Sequence, residues 1–193
     1  MAGHARYTAL LDACVLHPVA VADSLLSVFL CGLFAPKWTR SIEDEWMRSL
    51  ARERGRPAQD FQRRCARMRE VVPDWEVPEA AWAPLAKGLS LPDSQDVHVL
   101  AAAIAGHADC IVTFNLSDFP PRLVGPLGIE VIHPDEFLVH QFDLDQLAVL
   151  AAFREQRARL RNPEMTALQF ADALERNRLV ATAQRLRDAA DLI

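Results

Sequence analysis

The sequence predicts an α/β fold built on a parallel sheet, and three stretches carry that expectation. Residues 91–104 read Leu91-Pro92-Asp93-Ser94-Gln95-Asp96-Val97-His98-Val99-Leu100-Ala101-Ala102-Ala103-Ile104. After the Pro92-Asp93 turn signal the run is apolar and small. It is too short to span a membrane, so it reads as a buried helix. Cys110 to Thr113 is a short, β-branched apolar run, suited to a buried parallel strand. Tyr7 to Leu11 is a second strand-like run, closed by Asp12. Ligands of open α/β sheets bind beyond the carboxyl ends of the strands. Asp12 falls at one such end, and the polar group Thr113, Asn115, Ser117 and Asp118 falls at the other.

The remaining elements follow in chain order. Cys14 to Pro18 leads into an apolar helix expected from Val19 to Leu33. Leu33 to Thr39 alternates, but Pro36 demotes it to an edge strand or extended loop. Thr39 or Ser41 is expected to cap a helix with Glu43, Asp44 and Glu45 in its first turn, where acids complement the dipole. Ile42, Trp46, Met47 and Leu50 form its apolar stripe. Glu43 and Glu45 both border that stripe, and periodicity does not choose between them. Eight arginines lie between Arg48 and Arg69, and Gly55-Arg56-Pro57 breaks the segment into two helices. Such faces either grip phosphates or are simply solvated. Asp74 to Val77 suits a short strand, and Pro78 to Trp82 starts a short helix.

Asp93 is expected to cap the organising helix, with Asp96 as the second half of a capping box. Asp96 shares a helix face with Leu100 and Ala103. A carboxylate on an apolar face is costly to bury, and the strand that follows ends in the polar group Thr113, Asn115, Ser117 and Asp118, which favours function over capping for Asp96. Gly128 to Ile132 reads as the last strand, and His133-Pro134-Asp135-Glu136 as a strand–helix joint. From about Asp143 no strand signal remains. Leu144, Leu147, Leu150, Ala151 and Phe153 suit one helix, Asn162-Pro163 interrupts, Thr166 caps a second helix through Leu174, and Leu179 to Leu186 suits a third.

The 193 residues are half apolar, enough for one sizeable core with an appendage. The formal net charge of -5 does not advertise a nucleic-acid binder, nor does it exclude one. Cys14, Cys31, Cys65 and Cys110 are scattered without a C-x-x-C, as expected of reduced core thiols. There is no leader-like start and no bilayer-length apolar run, so a soluble cytoplasmic protein is expected. No phosphate-binding glycine loop and no nucleophile elbow is present, which argues against nucleotide binding and serine hydrolysis.

Four stretches together resemble a PIN domain. They are Asp12-Ala13-Cys14-Val15-Leu16, Glu45-Trp46, Pro92 to Ala103, and Val112-Thr113-Phe114-Asn115-Leu116-Ser117-Asp118-Phe119-Pro120. Within that family the chain resembles the toxin ribonucleases of bacterial VapBC toxin–antitoxin pairs, over about Arg6 to Leu138. The resemblance implies a three-layer α/β/α sandwich with a central parallel sheet. It sets a PIN-like nuclease domain at 1–140, followed by a C-terminal helical extension at 141–193. It implies a Mg2+- or Mn2+-dependent endoribonuclease acting on structured RNA, and it selects Glu45 over Glu43 as the second acid. Asp12 and Asp96 would be the main metal ligands, with Glu45 and Asp118 completing the cluster or holding waters. Thr113, Asn115 and Asp93 would position substrate or water. A cognate antitoxin and a homodimer are the implied partners. For the dimer, the apolar helix from Val19 either forms an interface or is buried.

The chemistry asked of these residues is consistent with their type. Phosphodiester hydrolysis needs an activated water and neutralisation of growing charge, which divalent cations supply. Mg2+ takes hard oxygen ligands. Four clustered carboxylates raise one another's pKa, so a cation is expected among them. Two departures from the family stand out. Cys14 stands where many PIN domains have a small polar residue or Asn, so a polar contact is expected to be lost there, and Asn115 stands where many relatives carry Asp. The alternatives are a non-catalytic PIN-like binding module and a PIN-type nuclease acting on DNA.

Overall fold

A computed structural model describes residues 7–193. The elements run β1 (Thr8–Leu11), α1 (Ala13–Leu16), α2 (Val19–Phe29), β2 (Ala35–Lys37), α3 (Arg40–Arg54), α4 (Gln62–Val71), α5 (Glu79–Ala86) and α6 (Val97–Ala105). They continue through β3 (Cys110–Val112), α7 (Pro121–Val124), β4 (Glu130–Ile132), α8 (Pro134–Leu144), α9 (Gln146–Arg159), α10 (Ala167–Arg176) and α11 (Val180–Asp188). The chain forms two compact units. One holds residues up to His17 together with Phe34–Ile132, and the other holds Pro18–Leu33 and His133–Ile193. The boundary expected after residue 140 therefore falls inside α8.

In the first unit four strands form a parallel sheet in the order β2-β1-β3-β4, flanked by helices, as the α/β reading expects. The central strands are β-branched and aliphatic, and Leu10, Leu11, Ile111 and Val112 are fully buried. Pro36 is tolerated because β2 is an edge. Leu11 pairs with Val112, and Asp12 N–H donates to Val112 O at 3.2 Å. Asp12 and Thr113 thus leave adjacent strands at the same edge.

α3 begins at Thr39, whose Oγ1 accepts from Ile42 N–H at 3.1 Å, and ends at Gly55, held at φ 60°. That left-handed conformation favours glycine, and it separates the two arginine-rich helices. Asp74 to Val77 is not a strand. It makes a single parallel bridge between Trp38 and Glu76. Trp75 is committed instead to stacking on Trp38, with centroids 5.2 Å apart. Gly106 closes α6 where a Cβ would meet Val77 Cγ2 at 2.8 Å, so α6 and this segment approach at glycine distance.

The expected capping box at Asp93 and Asp96 does not form. Asp93 caps a 3₁₀ turn, accepting from Gln95 N–H at 2.8 Å, and Asp96 makes no side-chain capping bond. The turn inserts between the cap and α6, so Asp96 is released from capping.

In the second unit α2 packs against α8, α9 and α10. Leu25 and Leu26 are buried, and Ser24 Oγ bonds Gln156. The apolar surface of α2 is thus largely used within its own unit, with Val19 and Leu30 left exposed. α2 stops at Phe29, short of the expected Leu33. Leu144 and Leu147 do not join the stripe expected of them. Both are exposed, and α9 buries Val149, Leu150, Ala152 and Phe153. Phe153 stacks on Phe142 at 5.7 Å. Thr166 and Gln169 form a reciprocal capping box on α10. Among the described residues no helix is long and apolar enough to cross a membrane.

His133 caps α8, accepting from Asp135 N–H, which agrees with a strand–helix joint. Asp135 also caps a second helix. Its two carboxylate oxygens accept from Ala181 N–H and Thr182 N–H, both at 2.8 Å, at the start of α11. Asp135→Ala is expected to destabilise the protein by about 1–2 kcal/mol, the worth of a lost helix cap. A urea midpoint within error of wild type would refute that role.

Candidate active site

Asp12 ends β1 and caps α1, its Oδ1 accepting from Ala13 N–H at 2.6 Å. Its Oδ2 accepts from Thr113 Oγ1–H at 2.7 Å, which ties the two strand ends together. The carboxyl is almost fully buried. Burial pushes its pKa up, and the charge of Glu45 adds to the rise, while the hydrogen bonds from Cys14, Thr113 and Ala13 oppose it.

Asp96 stands where the 3₁₀ turn meets α6. Its pKa is pushed up to about 7, first by burial and then by the charges of Asp12, Asp118, Asp93 and Glu45. Acids from four separate parts of the chain thus act on one carboxyl. Asp118 lies in a short 3₁₀ turn after β3, and Asn115, just before it, is exposed. Asn115 N–H donates to Thr113 Oγ1 at 3.0 Å, so Thr113 relays between this turn and Asp12.

The two acids that border the α3 stripe divide in the structure. Glu43 is 1% exposed; it accepts from Trp38 Nε1–H at 3.0 Å and pairs with Arg69. Glu45 is partly exposed and its charge reaches Asp12 and Asp96. Glu43 is a structural anchor, and Glu45 is the acid turned toward the cluster.

The polar contact expected to be lost at Cys14 is kept. Its Sγ–H donates to Asp12 Oδ2 at 3.0 Å, Sγ lies 3.3 Å from Thr113 Oγ1, and it accepts from Phe114 N–H at 3.2 Å. Burial and then the Asp12 charge hold the thiol protonated, so it serves as a donor. A second residue that sequence reasoning passed over is His98, whose Nε2 lies 3.4 Å from Glu45 Oε2. Its signal was its position two residues beyond Asp96.

The arginine-rich segment separates into two kinds. Arg64 donates to the Leu16 and His17 carbonyls at the end of α1 and lies 4.6 Å from the Trp46 ring. Arg69 anchors Glu43, Arg56 pairs with Asp60, and Arg48 bonds the Asp44 carbonyl. Arg52, Arg54, Arg63 and Arg67 are exposed and form no ion pair among the described residues.

The cluster's fit to a cation rests on its donor chemistry. It offers carboxylates alone, and their mutual repulsion is what a hard divalent ion would relieve. Among the described residues, no three His, Cys, Asp or Glu side chains already stand in a metal-holding arrangement, so the carboxylates would have to converge on the ion.

Comparison with known proteins bears on both halves of the chain. The VapC50 C-terminal domain profile matches residues 134–188, which covers α8, α9, α10 and α11. A curated protein of Mycobacterium tuberculosis (strain ATCC 25618 / H37Rv), named "Putative ribonuclease VapC50", is 38% identical over 94 residues. That alignment covers 48% of this chain and 56% of the relative, so the chain matches just over half of the relative's length. The PIN domain profile matches residues 8–117, which include every acid of the cluster except Asp118. With that match over more than half of its 193 residues, the chain belongs to the PIN-domain family.

Proposed function

We propose that the protein is a metal-dependent endoribonuclease, a VapC-like toxin that hydrolyses phosphodiester bonds in structured RNA in the cytoplasm and is held in check by a cognate antitoxin. The observation that supports this most is the set of carboxylates acting on Asp96 beside the buried Asp12. Asp12 and Asp96 would hold a Mg2+ or Mn2+ ion, with Glu45 and Asp118 completing the donor set. Such an ion, when bound, supplies water activation and neutralises charge growing on the phosphate.

This chain's own residues do the rest. Thr113 and Cys14 donate to Asp12 Oδ2 and Ala13 N–H to Oδ1, which fixes the carboxylate and leaves one lone-pair position, on Oδ1, for a cation. The turn containing Asn115 is held by its N–H on Thr113, where the exposed amide side chain can meet phosphate or water. Asp93 stays at the cap of the 3₁₀ turn as an outer acid. Arg52, Arg54, Arg63 and Arg67 would grip flanking phosphates. RNA loops are the expected target, because unstacked bases are where sequence can be read.

Mn2+ titrated calorimetrically into wild type should bind, and into Asp96→Asn should bind weakly or not at all. Equal binding by the two proteins would sink the assignment of the cluster.

A further inference from the structure

The acid cluster contains one long side chain, and something must hold it. Glu45 rises from α3 with its side chain 46% exposed. Fixing such a side chain costs on the order of 1–2 kcal/mol in rotamer freedom. Two acids of the cluster, Asp12 and Asp96, repel it. Among the described residues, His98 is the cationic or donor side chain within ion-pairing range of its carboxylate.

His98 is well placed to do this. It lies in the first turn of α6, two residues beyond Asp96, so the same segment presents a cluster acid and the group that meets Glu45. The ring is backed by Trp82 of α5, with centroids 6.0 Å apart and planes inclined by 50°. Nδ1 is buried and has no hydrogen-bond partner. One nitrogen is therefore sealed against the core while Nε2 faces Glu45 Oε2 at 3.4 Å. That separation is longer than a formed N–H···O bond and short enough to close to one.

We propose that His98 is a positioning residue: through Nε2–H it restrains the Glu45 carboxylate beside Asp12 and Asp96, so that less side-chain ordering remains when a divalent cation binds. This rests on the metal-binding reading given above. The competing explanation is that His98 merely packs against Trp82.

The two explanations separate in a calorimetric Mn2+ titration of wild type, His98→Ala, His98→Phe, His98→Gln, Glu45→Gln and the His98→Phe/Glu45→Gln double variant. Metal-free thermal melts serve as the folding control. His98→Ala and His98→Phe should each weaken Mn2+ binding by about 10–100-fold, the usual effect of removing a residue that orients a ligand. His98→Phe keeps a ring against Trp82, so it should lose affinity without losing melting temperature. His98→Gln, which restores an N–H donor, should recover most of the loss. The double variant should bind no more weakly than Glu45→Gln alone, because the two side chains act as one unit. Wild-type affinity in His98→Phe, or losses that add in the double variant, would overturn the role. No Mn2+ binding by wild type would reject the metal reading itself and this role with it.

Discussion

Asp96→Asn is expected to reduce RNA cleavage to background and yet make the metal-free protein more stable at pH 8. Burial and the neighbouring acids push the Asp96 carboxyl in the folded chain from its ordinary 3.8 up to about 7. Between those values the unfolded chain has lost the proton while the folded one keeps it. Wild-type stability therefore falls as pH rises from about 4 to about 7, and the full penalty is present above that window. A shift of this size would be worth roughly 4 kcal/mol in a sealed site. Asp96 is itself partly exposed, so about 2 kcal/mol is expected. Asn carries no charge, so the variant should lose less stability than wild type across the window, keeping only the part that the raised Asp12 carboxyl contributes. Urea melts at pH 5 and pH 8 would check this. A variant that loses as much stability as wild type between the two would show that Asp96 does not carry the charge strain.

Arg69→Ala is expected to destabilise the fold by about 3 kcal/mol. Glu43 is fully buried, and Arg69 reaches it through Nε at 3.1 Å and through Nη2. The guanidinium also lies 5.0 Å from the Trp75 ring. Deleting it strands a buried carboxylate with the Trp38 N–H alone. Breaking a buried pair typically costs about 3–5 kcal/mol, and the partial exposure of Arg69 points to the lower end. Glu45→Gln, two residues further on in the same helix, should change stability by less than about 0.5 kcal/mol, as at a surface position. A urea midpoint for Arg69→Ala that matches wild type would mean that Glu43 is not an anchor.

These two acids also mark where the sequence stops being legible. β1 with Asp12, α6 with its small apolar face and β3 with Thr113 could be read because strand and helix periodicity are local. Glu43 and Glu45 could not be told apart that way, since both border the Ile42–Trp46 stripe. What separates them is Arg69, 26 residues away, and Trp38 across the N-terminus of α3. Two of the three Cys14 contacts were hidden for the same reason, since Thr113 and Phe114 are 99 and 100 residues distant; the third, to Asp12, is local. Arginine content alone did not reveal that Arg64 closes the end of α1. Exposure of Leu147 was hidden because Val149, Ala152 and Phe153 define a competing stripe on α9, and Leu144 ends α8 instead of joining that helix. Asp135 capping α11 across 46 residues is likewise a product of packing, not of pattern.

The most direct test of the central claim is to incubate purified protein with total RNA, with and without Mn2+ or Mg2+, beside Asp12→Ala. Wild type should cut RNA at discrete sites only when a divalent ion is present, with binding that weakens as salt is added. Asp12→Ala should bind RNA with the same salt dependence and leave it intact. RNA that wild type binds in a salt-dependent way but leaves uncut with either metal would contradict the claim, and a non-catalytic binding module would then be the better account.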